Sequence, residues 1–234
     1  MAEVFLERDF KAYERHRQDD PEYNALRLSV RRKLKAIVDG VQKAAKEAGY
    51  DLSAQAGLHH PYTFNSYRVR EQRAYLCRGA RERKKLAAFF GEALGKDAET
   101  HYIQTVLECC LDDQIVEAAL RIHPQAWWDG EHLKKRVLRD AAAMEEFCRL
   151  LRALPPGFHL KLHDWRQDHW CAQAKPAELK ELLQHYTPGS HWLHVQRQLP
   201  KEDAVAMGPE AEAWVSASLL ALLPLHRFAL WAPD

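Results

Sequence analysis

The stretch "THYIQTVLECCLDDQIVEAALRIHP", residues 100–124, constrains the fold most, because it satisfies two incompatible patterns. Read as a helix, it places Ile103, Val106, Leu107, Cys110, Leu111, Ile115, Ala118, Ala119 and Ile122 on one apolar face. Read as a hairpin turning at Asp112-Asp113, it sets Leu111 opposite Gln114. Ile103, Thr105, Leu107, Cys109 and Leu111 then share a face with Gln114, Val116, Ala118, Leu120 and Ile122. The β-rich opening "HYIQTV" favours strands, whereas "EAALR" and the missing turn glycine favour helix. The hairpin reading has a chemical consequence: Glu108 falls opposite Glu117 on the second face, beside Arg121 and Gln104. Facing carboxylates repel. They are tolerated when an arginine or metal separates them, and a shared proton raises one pKa, as in acid–base sites. Glu108 and Glu117 are therefore the candidate catalytic pair, and shielding by Arg68 or Arg73 from a neighbouring strand is the structural alternative.

The segment "FNSYRVREQRAYLCRGARERKKL", Phe64 to Leu86, packs eight Arg or Lys into twenty-three positions of a chain whose formal net charge is only +1. "YTFNSYRV" reads as strand, with Tyr67 and Val69 on one side and Arg68 on the other. A turn near Arg70–Gln72 leads back into "RAYLCR", and a helix follows Gly79 with Leu86, Phe89, Phe90, Ala93 and Leu94 inward. Arg81, Arg83, Lys84 and Lys85 crowd its first turns, the wrong sign for a helix N-terminus. Guanidinium forks beside free N–H groups form an anion receptor. The expected ligand-binding set is His59, His60, Tyr62, Tyr67, Arg68, Arg70, Arg73, Arg78, Arg81 and Arg121. The alternative is that these arginines pair with the chain's own acids. No GxxxxGK[ST] or GxGxxG occurs, so no nucleotide loop or other cofactor site is expected.

Elsewhere the spacing is plainer. Asp20 and Pro21 open a long helix carrying Leu26, Val30, Leu34, Ile37, Val38, Val41, Ala44 and Ala48, with Gly49 as its stop. Its Arg27, Arg31, Lys35 stripe reads as a solvated face, with nucleic-acid contact as the alternative. Asp129 is placed to cap a second helix whose stripe runs from Leu133 through Val137, Ala141, Met144 and Phe147 to Leu151, flanked by a buried Cys148. "FHLKLHDW" and "HWLHVQRQL" read as strands, "PAELKELLQHY" as a helix, "LPKEDAVAMG" as a surface loop, and a last helix starts near Pro209 and is bent or ended by Pro224.

Thirteen histidines raise a metal hypothesis for His159, His163, His169, His191 and His194 with Asp164. Spacing opposes it. His159 and His163 on a strand stand roughly 13 Å apart, and neither HExxH nor a paired-cysteine pattern is present, so no metal is expected. Cys77, Cys109, Cys110, Cys148 and Cys171 form no CxxC pair and are odd in number, which reads as reduced thiols. With no apolar run near ~18 residues and no basic leader in "MAEVFLERDF", the expectation is a cytoplasmic chain and no membrane partner.

Beyond these local readings, "FLERDFKAYERHRQDDPEYNALRLSVRRKL" resembles the opening of the bacterial YktB-like proteins, in which a Phe-x-x-x-Asp-Phe start leads into a long helix. "HYIQTVLECCLDDQIVEAALRIHPQAWWDGEHLKKRVL" and "LPKEDAVAMGPEAEAWVSASLLALLPLHRFAL" are similar to related bacterial domains of unknown function. Together these pieces cover about half the chain. The resemblance implies an α+β fold with an antiparallel sheet and tips residues 101–122 toward a hairpin, and it brings no known activity. Where the related pattern has Arg-Phe-x-x-x-Lys-x-Pro-Tyr-Lys, this chain has "HHPYTFNSYRVREQRAYLCR", so no ligand role carries over.

The expected architecture is one α+β domain, 1–234, with an antiparallel sheet packed against several helices, including a long N-terminal and a C-terminal helix. The leading function is binding of an anionic small molecule or nucleic acid through the arginine-rich surface. A hydrolase-type enzyme using the carboxylate pair and a protein-interaction scaffold are the alternatives, and the sequence sets no oligomeric state.

Overall fold

Seven strands pair into one sheet. A computed structural model describes residues 4–95, 102–163, 165, 167 and 169–231, and the side chains of Phe89, Phe90, Ala93 and Leu94 and all of Asp164 lie outside what is described. The strands are β1 (Leu52–Ala56), β2 (Gln72–Arg78), β3 (Val106–Leu111), β4 (Ile115–Ile122), β5 (His159–Leu162), β6 (His169–Trp170) and β7 (Leu193–Pro200). They lie in the order β1-β2-β3-β4-β7-β5-β6, every neighbour antiparallel. The helices are α1 (Glu7–Lys11), α2 (Asn24–Glu47), α3 (Ala80–Gly95), α4 (Trp127–Arg139), α5 (Ala141–Arg152), α6 (Pro176–His185), α7 (Lys201–Met207), α8 (Glu210–Ala221) and α9 (Leu223–Ala229).

Side chains alternate across a strand, and the two faces differ sharply. One carries Ala74 and Leu76 of β2, Leu107, Cys109 and Leu111 of β3, Val116, Ala118, Leu120 and Ile122 of β4, and Leu193, Val195 and Leu199 of β7. All are buried in the main core, against Val30, Leu34, Ile37, Val38 and Val41 of α2 and Val215 and Leu219 of α8. Each fully buried Val, Leu or Ile contributes about 1.5–3 kcal/mol. The Cys109 thiol donates to Leu34 O of α2 (3.9 Å), and Arg197 Nη1 donates to Ser218 Oγ of α8 (3.2 Å), so both helices lie on this side.

The long helix begins as expected. Asp20 accepts from Glu22 N (2.9 Å) over a 3₁₀ turn at Pro21–Tyr23, and Gly49 ends the helix at φ +79°. Its basic stripe is not a solvated face. Arg27 is fully buried and donates to Asp20 O (3.0 Å), Asn24 Oδ1 (2.9 Å), Ala12 O (3.3 Å) and Arg17 O, fastening residues 12–20 to the helix start. Arg31 Nε donates to Gly57 O (2.8 Å), and Lys35 pairs with Asp39. Carbonyls left open by the preceding turns took the charge that the spacing assigned to water.

Other expectations shift for local reasons. "YTFNSYRV" is not a strand: Asn65 Oδ1 accepts from Tyr62 N (2.7 Å) and its Nδ2 donates to His60 O (2.9 Å), closing a turn that outweighs β propensity. Tyr67 is accordingly exposed while Val69 is buried, so the two share no strand face. The stripe expected to be continuous from Leu133 to Leu151 is broken at Asp140, which caps α5 through Ala142 N (2.9 Å). "LPKEDAVAMG" ends β7 and forms α7 instead of a loop, and Pro224 opens α9.

Asp129 was placed as a helix cap, yet it is fully buried and faces the sheet. It accepts Arg78 Nη1 (3.0 Å) and Nη2 (2.5 Å), Thr105 N (2.9 Å) and Oγ1 (2.8 Å), and Trp231 N (2.9 Å). Burial alone pushes its pKa up, but Arg78 and these donors more than offset it and hold the carboxyl below its usual range. His226 completes the cluster from α9 with Nε2 3.2 Å from Thr105 O. Asp129→Ala strands a buried guanidinium and is expected to lower the unfolding free energy by about 3–5 kcal/mol in urea titrations. A second measurement concerns His226, whose pKa is lowered to about 4, first by burial and then by Arg78. The unfolded chain takes that proton near 6.5 and the folded one near 4, so the contribution is complete above pH 6.5 and lost as pH falls toward 4. At about 1.4 kcal/mol per tenfold in proton affinity the loss approaches about 3 kcal/mol, and His226→Gln flattens that window.

Candidate functional site

The sheet's second face has a different chemistry. From β2 to β7 it carries Arg73, Tyr75, Cys77, then Val106, Glu108, Cys110, then Glu117, Ala119, Arg121, then His194, Gln196, Gln198. Residues 106–122 are the hairpin, but its register differs from a two-residue turn at Asp112-Asp113. Asp112 Oδ1 accepts from Gln114 N (2.7 Å) and Ile115 N (2.9 Å), which widens the turn to Asp112–Ile115. Leu111 therefore faces Val116, Glu108 faces Ala119, and Glu117 faces Cys110. The shift of two residues keeps every side chain on its expected face but removes the opposition of Glu108 and Glu117.

Arg121 sits between the two carboxylates. Its Nη2 donates to Glu117 Oε1 (2.5 Å), and its Nε lies 3.1 Å from Glu108 Oε1. Burial opposes the guanidinium charge, but Glu108 and Glu117 push its pKa higher still. Gln198 Nε2 donates to Glu117 Oε2 (2.8 Å), and Arg73 Nη1 approaches Glu108 Oε2 (3.4 Å) while also pairing with Glu71. The Glu108 side chain is 0% exposed. The carboxylates thus have arginine partners and no open substrate space, which removes the geometric basis for using them as an acid–base pair.

Beside this network, Gly57, Leu58, Phe64, Arg68, Arg70, Arg73, Tyr75, Tyr102, His123 and Gln125 line a cleft of about 1050 Å³. One wall is a finger, residues 58–70, between β1 and β2. Its conformation is closely tied: Asn65 N bonds Tyr62 O (3.1 Å), Ser66 N bonds Thr63 O (3.1 Å), Tyr67 N bonds Tyr62 O (2.9 Å), Arg68 N bonds Asn65 O (3.0 Å) and Val69 N bonds Gln18 O (2.8 Å). These bonds hold Ser66 and Tyr67 at φ +54° and +58°, left-handed backbone that costs non-glycine residues on the order of 1 kcal/mol each. The finger turns its aromatics outward, with Phe64 87%, Tyr67 60% and Tyr62 49% exposed. Tyr62 and Phe64 stack at 5.9 Å, and His59 meets His60 edge-on at 5.0 Å.

The expected ligand set divides in three. Arg68 and Arg70 stand exposed on the cleft rim, and among the described residues neither side chain has a hydrogen-bond or ion-pair partner. His59, His60, Tyr62 and Tyr67 lie on the same finger, whereas Arg73 and Arg121 are paired with carboxylates. Arg78 projects to the opposite face, is 3% exposed and is locked to Asp129, so it does not reach the cleft. Arg81 lies on α3 and does not line the cleft either. Phe64, Tyr102, His123 and Gln125 were missed. Their signal was topological, because Tyr102 and His123 flank the hairpin ends and meet only when it folds, at 6.1 Å between rings.

His123 is held below its usual pKa by burial and then Arg73, and His194 well below by burial and then Arg121, while Glu71 joins the cleft lining as an acidic partner of Arg73. No group of three or more His, Cys, Asp or Glu among the described residues could hold a metal ion. His191 illustrates the reason, since its Nδ1 accepts from Thr187 N (3.1 Å) and that nitrogen is taken. No helix among the described residues is long and apolar enough to cross a membrane. Neither a protein-family model nor a curated protein matches the chain.

Removing Arg121 tests the bridge. Arg121→Met leaves two buried carboxylates without their shared cation and is expected to cost about 3–5 kcal/mol in urea unfolding, whereas a loss under about 1 kcal/mol would mean that water screens them.

Proposed function

We propose that the chain is a binding protein for an anionic, phosphate-bearing ligand, held in the cleft by Arg68 and Arg70. The observation that carries this reading is the contrast among the arginines around the sheet. Arg73, Arg78 and Arg121 each have a carboxylate partner, while Arg68 and Arg70 have none among the described residues and stand at the mouth of the cleft. A guanidinium fork matches phosphate oxygens two at a time, and a hydrogen bond to a charged group contributes about 1.5–3 kcal/mol. The arginines below add no spare positive charge, because Glu71, Glu108 and Glu117 answer them, so the attraction for an incoming anion comes from Arg68 and Arg70 themselves. We further place the protein in a reducing compartment, the cytoplasm, a reading supported by five buried cysteines that all remain free thiols.

Titration calorimetry with inorganic triphosphate at low salt is the direct test. Binding is expected to weaken as salt rises, because exposed charges are screened over about 10 Å at 0.1 M. Arg68→Ala and Arg70→Ala are each expected to reduce affinity by about tenfold or more with no change in thermal stability, since both side chains are exposed. Absence of heat at low salt, or an affinity in both variants unchanged from that of the unsubstituted chain, would end the proposal.

A further inference from the structure

The finger presents more than charge. Phe64 is almost wholly in water, Tyr62 stacks on it, and the backbone turn beneath them is closed by six hydrogen bonds that include both sides of the Asn65 amide. An aromatic ring held in water by a strained, hydrogen-bonded turn gains nothing for the fold. Its cost is offset only when something flat covers it, and the ordering entropy of the surface is already removed. Arg68 N bonds Asn65 O (3.0 Å), which folds the Arg68 backbone back beneath the Phe64 turn, and Phe64, Arg68 and Arg70 line the same cleft. A platform for a ring therefore stands next to two receptors for anions.

We propose that the finger binds single-stranded nucleic acid, with a base stacked on the Phe64–Tyr62 pair and the adjoining phosphates on Arg68 and Arg70. The inference rests on the anion reading of the cleft and names its ligand class. Three features favour a strand over other occupants. Tyr67, a further exposed ring on the same finger, stands outside the cleft lining, so the finger offers more than one ring to a chain of bases. A duplex hides the base faces that such a platform needs, whereas every unpaired base offers one. The two unpaired guanidiniums match a ligand with regularly spaced negative charges, and with a formal net charge of only +1 the attraction is confined to this local contact.

The test uses fluorescence anisotropy of the full chain with a labelled oligonucleotide of about ten thymidines, a length within the usual site size for such platforms. Two phosphate contacts on a single strand predict an affinity loss of about sevenfold between about 50 and 200 mM salt. Phe64→Ala, on a side chain 87% exposed, is expected to weaken the oligonucleotide about fivefold or more, to weaken inorganic triphosphate, which has no ring to stack, far less, and to be rescued by Phe64→Trp. Arg68→Ala is expected to weaken both ligands and to reduce the salt dependence by about half. If triphosphate binds but the oligonucleotide binds no better and ignores Phe64→Ala, the strand inference falls and the anion reading stands. If neither binds, both fall. Equal affinity for a duplex of the same length, or thymidine monophosphate binding as tightly as the oligonucleotide, also overturns the strand.

Discussion

Asp129 holds the molecule together. Its carboxylate takes hydrogen bonds from Arg78 on β2, from Thr105 just before β3, and from Trp231 beyond α9, while its own backbone sits in the first turn of α4. A buried charge with every lone pair occupied cannot drift, because leaving it unpaired in low dielectric costs several kcal/mol. The carboxylate therefore sets where α4 and the final helix stand against the sheet. It also determines the fate of Arg78, which must point toward the helices, and by alternation directs Cys77 and Tyr75 to the opposite side, where the cleft is.

A sheet with its core helices on one face must make the other face acceptable to water. Here that is done with ion pairs, and the pairing consumes cations. Arg27 and Arg31 cap carbonyls, Arg73 and Arg121 pair with Glu71, Glu108 and Glu117, and Arg78 answers Asp129. The concentration of arginine that stands out in the chain is mostly internal architecture. Once these are subtracted, Arg68 and Arg70 are the cleft-lining arginines that have no partner among the described residues.

That subtraction explains how far the residues could be read before folding. Elements set by local periodicity were legible: α2 with its Asp20–Pro21 start and Gly49 stop, β5, α6 and β7, and the two faces of the 106–122 hairpin. Its register was not, because one Asp112 oxygen binding two backbone N–H groups widens a turn without changing side-chain parity. Asn65 turned an apparent strand into a rigid finger by the same kind of short-range competition. For the site, Arg68, Arg70, Tyr62 and Tyr67 were visible as a dense local cluster. The burial of Arg78 was hidden, since its partner lies fifty-one positions away. Tyr102 and His123 were hidden equally, being joined only by the closed hairpin.

One further property follows from α2. Arg31 bonds the carbonyls of Ala56 (3.5 Å) and Gly57 (2.8 Å), and Gln42 bonds that of Leu52 (2.7 Å), so acceptors at both ends of β1 are already occupied. An outer strand with bare acceptors is a template on which other chains stack, and side chains from the protein's own helix blunt it. The border of the sheet next to the aromatic finger is thereby protected from strand addition.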